Sequence, residues 1–128
     1  MKKPLAYYTI VFLILAFLIH TLTGCDSSLR EKQTKAIDAY KQAIRINPDY
    51  ADAHFNLGVT YDESDRYKEA IEAYKQVIRI NPDDADTHYH LGFLYNALDD
   101  KGSALEQYKI LKNLNSEKAN KLFNIIYK

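Results

Sequence analysis

The chain has 128 residues, room for one domain, and its 17 basic and 17 acidic side chains give a formal net charge of zero. Setting aside Lys2 and Lys3 leaves 15 basic residues against 17 acidic ones, which argues against a nucleic-acid partner because phosphate binding needs a basic surface. A single cysteine excludes an internal disulfide framework, and the low count of chain breakers (4 Gly, 3 Pro) suits an all-helical chain.

The N-terminus reads first. Met1-Lys2-Lys3-Pro4 is a short basic start, Leu5 to Ile19 is an apolar run without charge, and Leu22-Thr23-Gly24-Cys25 follows. Charge, apolar core and small residues in that order read as an export signal. The last four residues resemble the bacterial lipobox. That resemblance implies a signal peptide over residues 1–24, cleavage before Cys25, a diacylglycerol thioether on Cys25 and an acylated new amino terminus. Residues 25–28 then form a short acylated tether. The protein would be a lipid-anchored lipoprotein of the bacterial cell membrane, facing away from the cytoplasm. Asp26 resembles an inner-membrane retention signal of enteric bacteria, and inner versus outer membrane stays open. The other reading is an uncleaved membrane helix: the apolar run is shorter than the ~20 residues a span needs, but Thr21 and Leu22 extend it. Arg30, Lys32 and Lys35 either face anionic headgroups or form a solvated helix face.

Ser28-Leu29-Arg30-Glu31 fits a capping box, with Ser28 as the cap. The helix it opens runs to Ile46 with Ala36, Ile37, Tyr40, Ala43 and Ile44 as an apolar stripe. Asn47-Pro48 stops it, since a residue before proline avoids the helical region. A second helix enters at Asp49 or Tyr50 and ends near Ser64, Asp65-Arg66 is a turn, and a third helix runs to Ile80 before Asn81-Pro82. A further pair covers Ala85 to Leu98 and Lys101 to Asn113, with Asp99-Asp100 as the turn. The last helix, Glu117 to Tyr127, carries Ala119, Leu122, Ile125 and Ile126 on one face.

These helices repeat. Asn47-Pro48-Asp49 returns 34 positions later as Asn81-Pro82-Asp83, and His54, Leu57, Gly58 and Tyr61 return as His88, Leu91, Gly92 and Tyr95. Ala36-Ile37, Ala39-Tyr40 and Ile44-Arg45-Ile46 return as Ala70-Ile71, Ala73-Tyr74 and Ile78-Arg79-Ile80, and more loosely as Ala104-Leu105, Tyr108 and Leu114. A fixed period in the 20–50 range marks a stacked repeat. Gly58 and Gly92 sit inside helical patterns, where glycine costs up to about 1 kcal/mol relative to alanine, so a close helix approach is expected there, with Ala70 and Ala104 as the small residues opposite.

The pattern resembles the tetratricopeptide repeat over about Gln33 to Lys128. Leu57-Gly58 and Tyr61 fit the first helix of the motif; Ala70, Tyr74 and Pro82 fit the second. His54 and His88 depart from the usual Trp, Val77 and Leu111 from Ala, and Ser116 from Pro. The resemblance implies an all-α, short right-handed superhelix of antiparallel hairpins: a half repeat over residues 29–48, full repeats over 49–82 and 83–116, and a C-terminal capping helix over 117–128.

The resemblance also implies that the first helix of each unit lines a concave groove. Its positions here are Asp52, Phe55, Asn56 and Val59; then Asp86, Tyr89, His90, Phe93 and Asn96; then Phe123, Asn124 and Tyr127. Asn can bond a peptide backbone and aromatics offer apolar area at low rotamer cost, so the set suits a segment of a partner protein. The same residue types also follow from packing within the motif. One subclass of the family grips C-terminal carboxylates with Lys and Arg; the acidic Asp52, Asp62, Glu63 and Asp86 favour a basic or apolar-aromatic ligand instead. His88 and His90 diverge on a helix, and Asp62-Glu63-Ser64-Asp65 lacks the glycine and spaced ligands of a calcium loop, so no metal is expected. No cofactor beyond the lipid on Cys25 and no catalytic constellation is expected. The chain reads as a protein-protein interaction module or assembly factor of the cell envelope. A self-associating spacer, joined through the first helix that lacks its partner, is the alternative.

Overall fold

The computed structural model describes residues 2–19, 21 and 27–128. Cys25 and Asp26, with the lipidation and retention expectations, lie outside the described residues. Among the described residues all regular structure is helical: α1 (Leu5–Ile46), α2 (Ala51–Asp62), α3 (Tyr67–Ile80), α4 (Ala85–Ala97), α5 (Lys101–Leu114) and α6 (Ser116–Ile126). The chain divides into two compact units, residues 1–35 and 36–128.

In the first unit the apolar run is exposed along α1, with Leu5 at 85%, Phe12 at 71% and Phe17 at 70%. Among the described residues no helix is long and apolar enough to cross a membrane. The expected cap at Ser28 is not used, because Ser28 lies inside α1. A helix already propagating from the N-terminal side supplies carbonyls to the amides that a cap would otherwise serve, so the box has nothing to satisfy.

The second unit contains both hairpins. Each first helix ends in a paired hydrogen-bond pattern that reverses the chain. Arg66 N–H donates to the Tyr61 carbonyl at 2.9 Å and Asp65 N–H to that of Asp62 at 3.0 Å; Asp100 and Asp99 repeat this onto Tyr95 and Asn96. The pattern needs one left-handed residue. Asp65 (φ 57°) and Asp99 (φ 61°) supply it, aspartate being one of the few side chains that tolerate that region. This turn is why α2 stops at Asp62, two residues before the expected end. Asp84 and Asp100 cap the next helices through the amides of Thr87 and Ser103. Asn115 terminates α5 and caps α6, accepting from Lys118 N–H at 3.0 Å, so the absent proline at Ser116 removes no boundary.

The two histidines that replace the motif's Trp have a structural job. His54 Nε2–H donates to the Pro48 carbonyl at 2.9 Å, and His88 Nε2–H donates to that of Pro82 at 2.7 Å. Each ties its helix to the Asn-Pro turn before it, and the Nδ1 of His88 also meets the Gln107 side-chain amide at 2.7 Å.

Burial follows the predicted stripes. Leu57, Tyr61, Ala70, Ile71, Tyr74, Leu91 and Leu94 form one core with Ile37 of α1. Ala104, Leu111, Ala119, Leu122 and Ile126 form a second under α6. The close approach at the glycines is present with different partners from those expected. A β-carbon on Gly58 would lie 2.7 Å from the Tyr74 ring, and one on Gly92 would collide with Leu122 of α6. The large side chain, not Ala70 or Ala104, occupies the space the glycine leaves.

Candidate functional site

The first-helix residues gather into two aromatic groups, joined by rings from the second helices. On α2 and α4, Phe55 stands 5.5 Å from the ring of His90 and 5.5 Å from that of Tyr74. His90 stacks on Tyr74 at 5.3 Å, with an interplanar angle of 20°, and meets Tyr89 edge-on at 6.0 Å. Farther along, Phe123 packs on Tyr127 at 4.5 Å and on Tyr108 at 5.5 Å. Phe93 (40%), Phe123 (42%) and Tyr127 (61%) keep much of their surface exposed, Asn56 and Asn124 are exposed, and Phe55, Val59, Tyr89, His90 and Asn96 are half-buried. Val59 and Phe55 are half-buried and both pack against the first core. Tyr74, fully buried, and Tyr108, half-buried, back these rings from the second helices, a role sequence reasoning did not find. Its signal is the Tyr40–Tyr74–Tyr108 recurrence at the 34-residue period.

A shallow depression of about 400 Å³ lies where the first turns of α2 and α4 meet, lined by Asp52, Phe55, Val77, Asp84 and Asp86. Its charge is partly offset by Lys118 of α6, whose Nζ reaches Asp86 at 2.9 Å. Lys118 is a basic side chain on this face that the groove positions alone did not reveal. Among the described residues no group of three or more His, Cys, Asp or Glu is placed to hold a metal ion.

Burial dominates the electrostatics. It holds the His90 imidazole below its ordinary value, against the pull of Asp62, Asp86 and Asp84 and with a smaller push from Lys118. Burial also raises the Asp62 carboxyl, with His90 opposing and Glu63 and Asp65 adding to the rise. The sign for stability follows from linkage. A histidine harder to protonate when folded contributes stability that is full above its unfolded value near 6.5 and is lost as pH falls from there through the folded value. The melting temperature is therefore expected to decline on acidification from pH 7 to below 6. His90→Asn, which installs the residue found at the equivalent Asn56 and Asn124, should remove that limb. An unchanged slope in the Asn variant would place the titration elsewhere.

Residues 29–65 and 63–99 each match the family model described as TPR repeat. The chain belongs to the tetratricopeptide repeat (TPR) family. Solved TPR structures agree. A crystal structure of MamA superposes with a TM-score of 0.65 at 32% identity, covering 70% of this chain and 52% of that one. A second MamA crystal structure gives 0.62 at 33%, covering 69% and 48%. MamA from Desulfovibrio magneticus RS-1 gives 0.63 at 26%, covering 67% and 49%. This chain thus spans about half the length of the MamA chains it matches. A comparison with curated proteins finds no match. TPR stacks are protein-protein interaction modules as a class, not enzymes.

Proposed function

We propose that this TPR protein is a lipid-anchored interaction module or assembly factor of the bacterial cell envelope, which binds a protein partner on its first-helix face. The observation that carries the reading is that the aromatics Phe93, Phe123 and Tyr127 and the amides Asn56 and Asn124, all at first-helix positions of the repeat, are exposed. Exposed apolar area of this kind is spent on contact with another chain. Carboxylates at Asp52, Asp62 and Asp84 favour a basic or aromatic segment over a C-terminal carboxylate. The anchor draws support from Leu22-Thr23-Gly24-Cys25 and from the exposed apolar run before it, which water does not favour. Two or more acyl chains on Cys25 would anchor the stack stably to the bilayer.

Two measurements test this. A photo-crosslinking amino acid at Phe93, expressed in the source organism, should give a distinct heterologous adduct that the same probe at Lys75 does not. Self-adducts, or equal patterns from both positions, would favour the spacer. Metabolic labelling with an alkynyl palmitate should mark the protein and fail for Cys25→Ala. A second reading, an uncleaved signal anchor, rests on the apolar run Leu5 to Ile19 in the sequence. Intact mass of the purified protein separates the two, since retention of residues 1–24 would remove the lipoprotein reading.

A further inference from the structure

The second half of α1 repeats α3 at the same register, yet the two helices are not equally covered. Ala36, Ile37, Ala39, Tyr40, Ile44 and Ile46 match Ala70, Ile71, Ala73, Tyr74, Ile78 and Ile80. Ile37 and Ile71 are buried alike, at 6% each, and Ile37 joins the first core with Tyr40 and Ile44 packed against it. The adjacent arc differs. Ala70 and Tyr74 are fully buried and Ala73 nearly so, whereas Ala36 and Tyr40 are half-buried, Ala39 is exposed and Ile46 is 85% exposed.

The molecule itself shows what covers such an arc. Over α3 lies α2, with Gly58 against the Tyr74 ring and its preceding loop pinned by an ion pair from Arg79 to Asp49 at 2.7 Å. Arg45 occupies the register of Arg79 and has no ion pair among the described residues. The edge therefore presents an aromatic knob, small residues around it and an arginine placed for an acidic residue just ahead of the incoming helix.

We propose that this edge of α1 docks a helix from a heterologous partner protein, of the same type as α2: amphipathic, acidic at its start, with a glycine opposite Tyr40. It would complete the half repeat, and it is a surface separate from the groove. Charge complementarity supports the assignment. Arg45 gives the edge a cation at the register from which Arg79 holds Asp49, while Lys41 lies over the Tyr61 ring of α2; α2 and its loop carry Asp49, Asp52 and Asp62. A second copy is a poor occupant. Its α2 and α4 are already engaged, and α6 carries Ile126 at the register of Gly58 and Gly92, where a side chain would fall on Tyr40.

The test uses the full chain in detergent and, as probe, a fluorescent synthetic peptide with the sequence of residues 47–63. Saturable binding with a Kd below ~1 mM is expected, each change weakening it at least about tenfold: Ala39→Arg in the chain, or Gly58→Val in the peptide. Arg45→Asp should also weaken it, and an Asp49→Arg peptide should restore binding to that variant. Both chain positions are exposed, so unchanged melting temperatures will separate lost docking from lost folding. Absence of saturable binding, or binding indifferent to all of these changes, overturns the proposal. So does a chain that sediments as a dimer which Ala39→Arg dissociates, since the edge would then be a self-interface.

Discussion

Tyr74→Ala is expected to lower stability by about 3–5 kcal/mol, the range for removing a fully buried aromatic, and Tyr74→Phe is expected to lower it not at all. Tyr74 is wholly buried, lies against Gly58, stacks on His90 and packs on Phe55. Its removal leaves a cavity between α2, α3 and α4 that no neighbour can fill without giving up its own contacts. The hydroxyl is a different matter. It is buried without a hydrogen-bond partner among the described residues, and burial near Asp62 and Glu63 raises its ionisation well above the ordinary tyrosine range. An unpaired buried hydroxyl costs about 1–3 kcal/mol, so deleting it while keeping the ring should leave the melting temperature unchanged or higher. Thermal unfolding of the two variants decides the point. A Phe variant that melts well below the parent would mean that the hydroxyl is satisfied in solution.

Gly58 and Gly102 should respond to added side chains with opposite signs. Gly58→Val forces atoms into the Tyr74 ring, which cannot swing aside because it is packed on every face; overpacking of this kind costs about 1–3 kcal/mol, and the β-branch adds to it. Gly102 lies in the first turn of α5, and a β-carbon there meets only an Asp100 carboxylate oxygen at an ordinary 3.6 Å. Gly102→Ala should therefore gain up to about 1 kcal/mol from helix propensity alone. For a domain this small each kcal/mol moves the melting temperature by roughly 4–8 °C, so both shifts are readable in one calorimetric series. If both substitutions destabilised, the difference in free space between the two sites would not be what sets the outcome.

Most of the fold was legible because the period is written in residue types with few structural alternatives: Asn-Pro to stop a helix, Leu-Gly to admit a close neighbour, Ala-x-x-x-Tyr to face it. What the sequence hid was pairwise. That Gly58 faces a tyrosine, and not the alanine four residues earlier, depends on side-chain direction and not on spacing. The same holds for His54 and His88, which look like departures from a motif until their rings are seen reaching back to Pro48 and Pro82. The Ser28 cap failed for another reason: local chemistry was right for a helix start, but a helix was already under way. At the candidate surface, the first-helix positions found Phe93, Phe123 and Tyr127 exposed. They could not foresee that Phe55 and Val59 pack against the first core or that Lys118 reaches from α6 to Asp86.

Ile126 gives the molecule a direction. At the register where Gly58 and Gly92 leave room for a large neighbour, α6 holds a branched side chain that is 6% exposed and already committed to the second core. A further helix of the α3 or α5 kind has no berth there, whereas the α1 edge offers one to a helix of the α2 kind. Extension of this array, by gene duplication or by an engineer splicing in consensus units, should succeed at the α1 edge and stall behind α6 until residue 126 is made glycine.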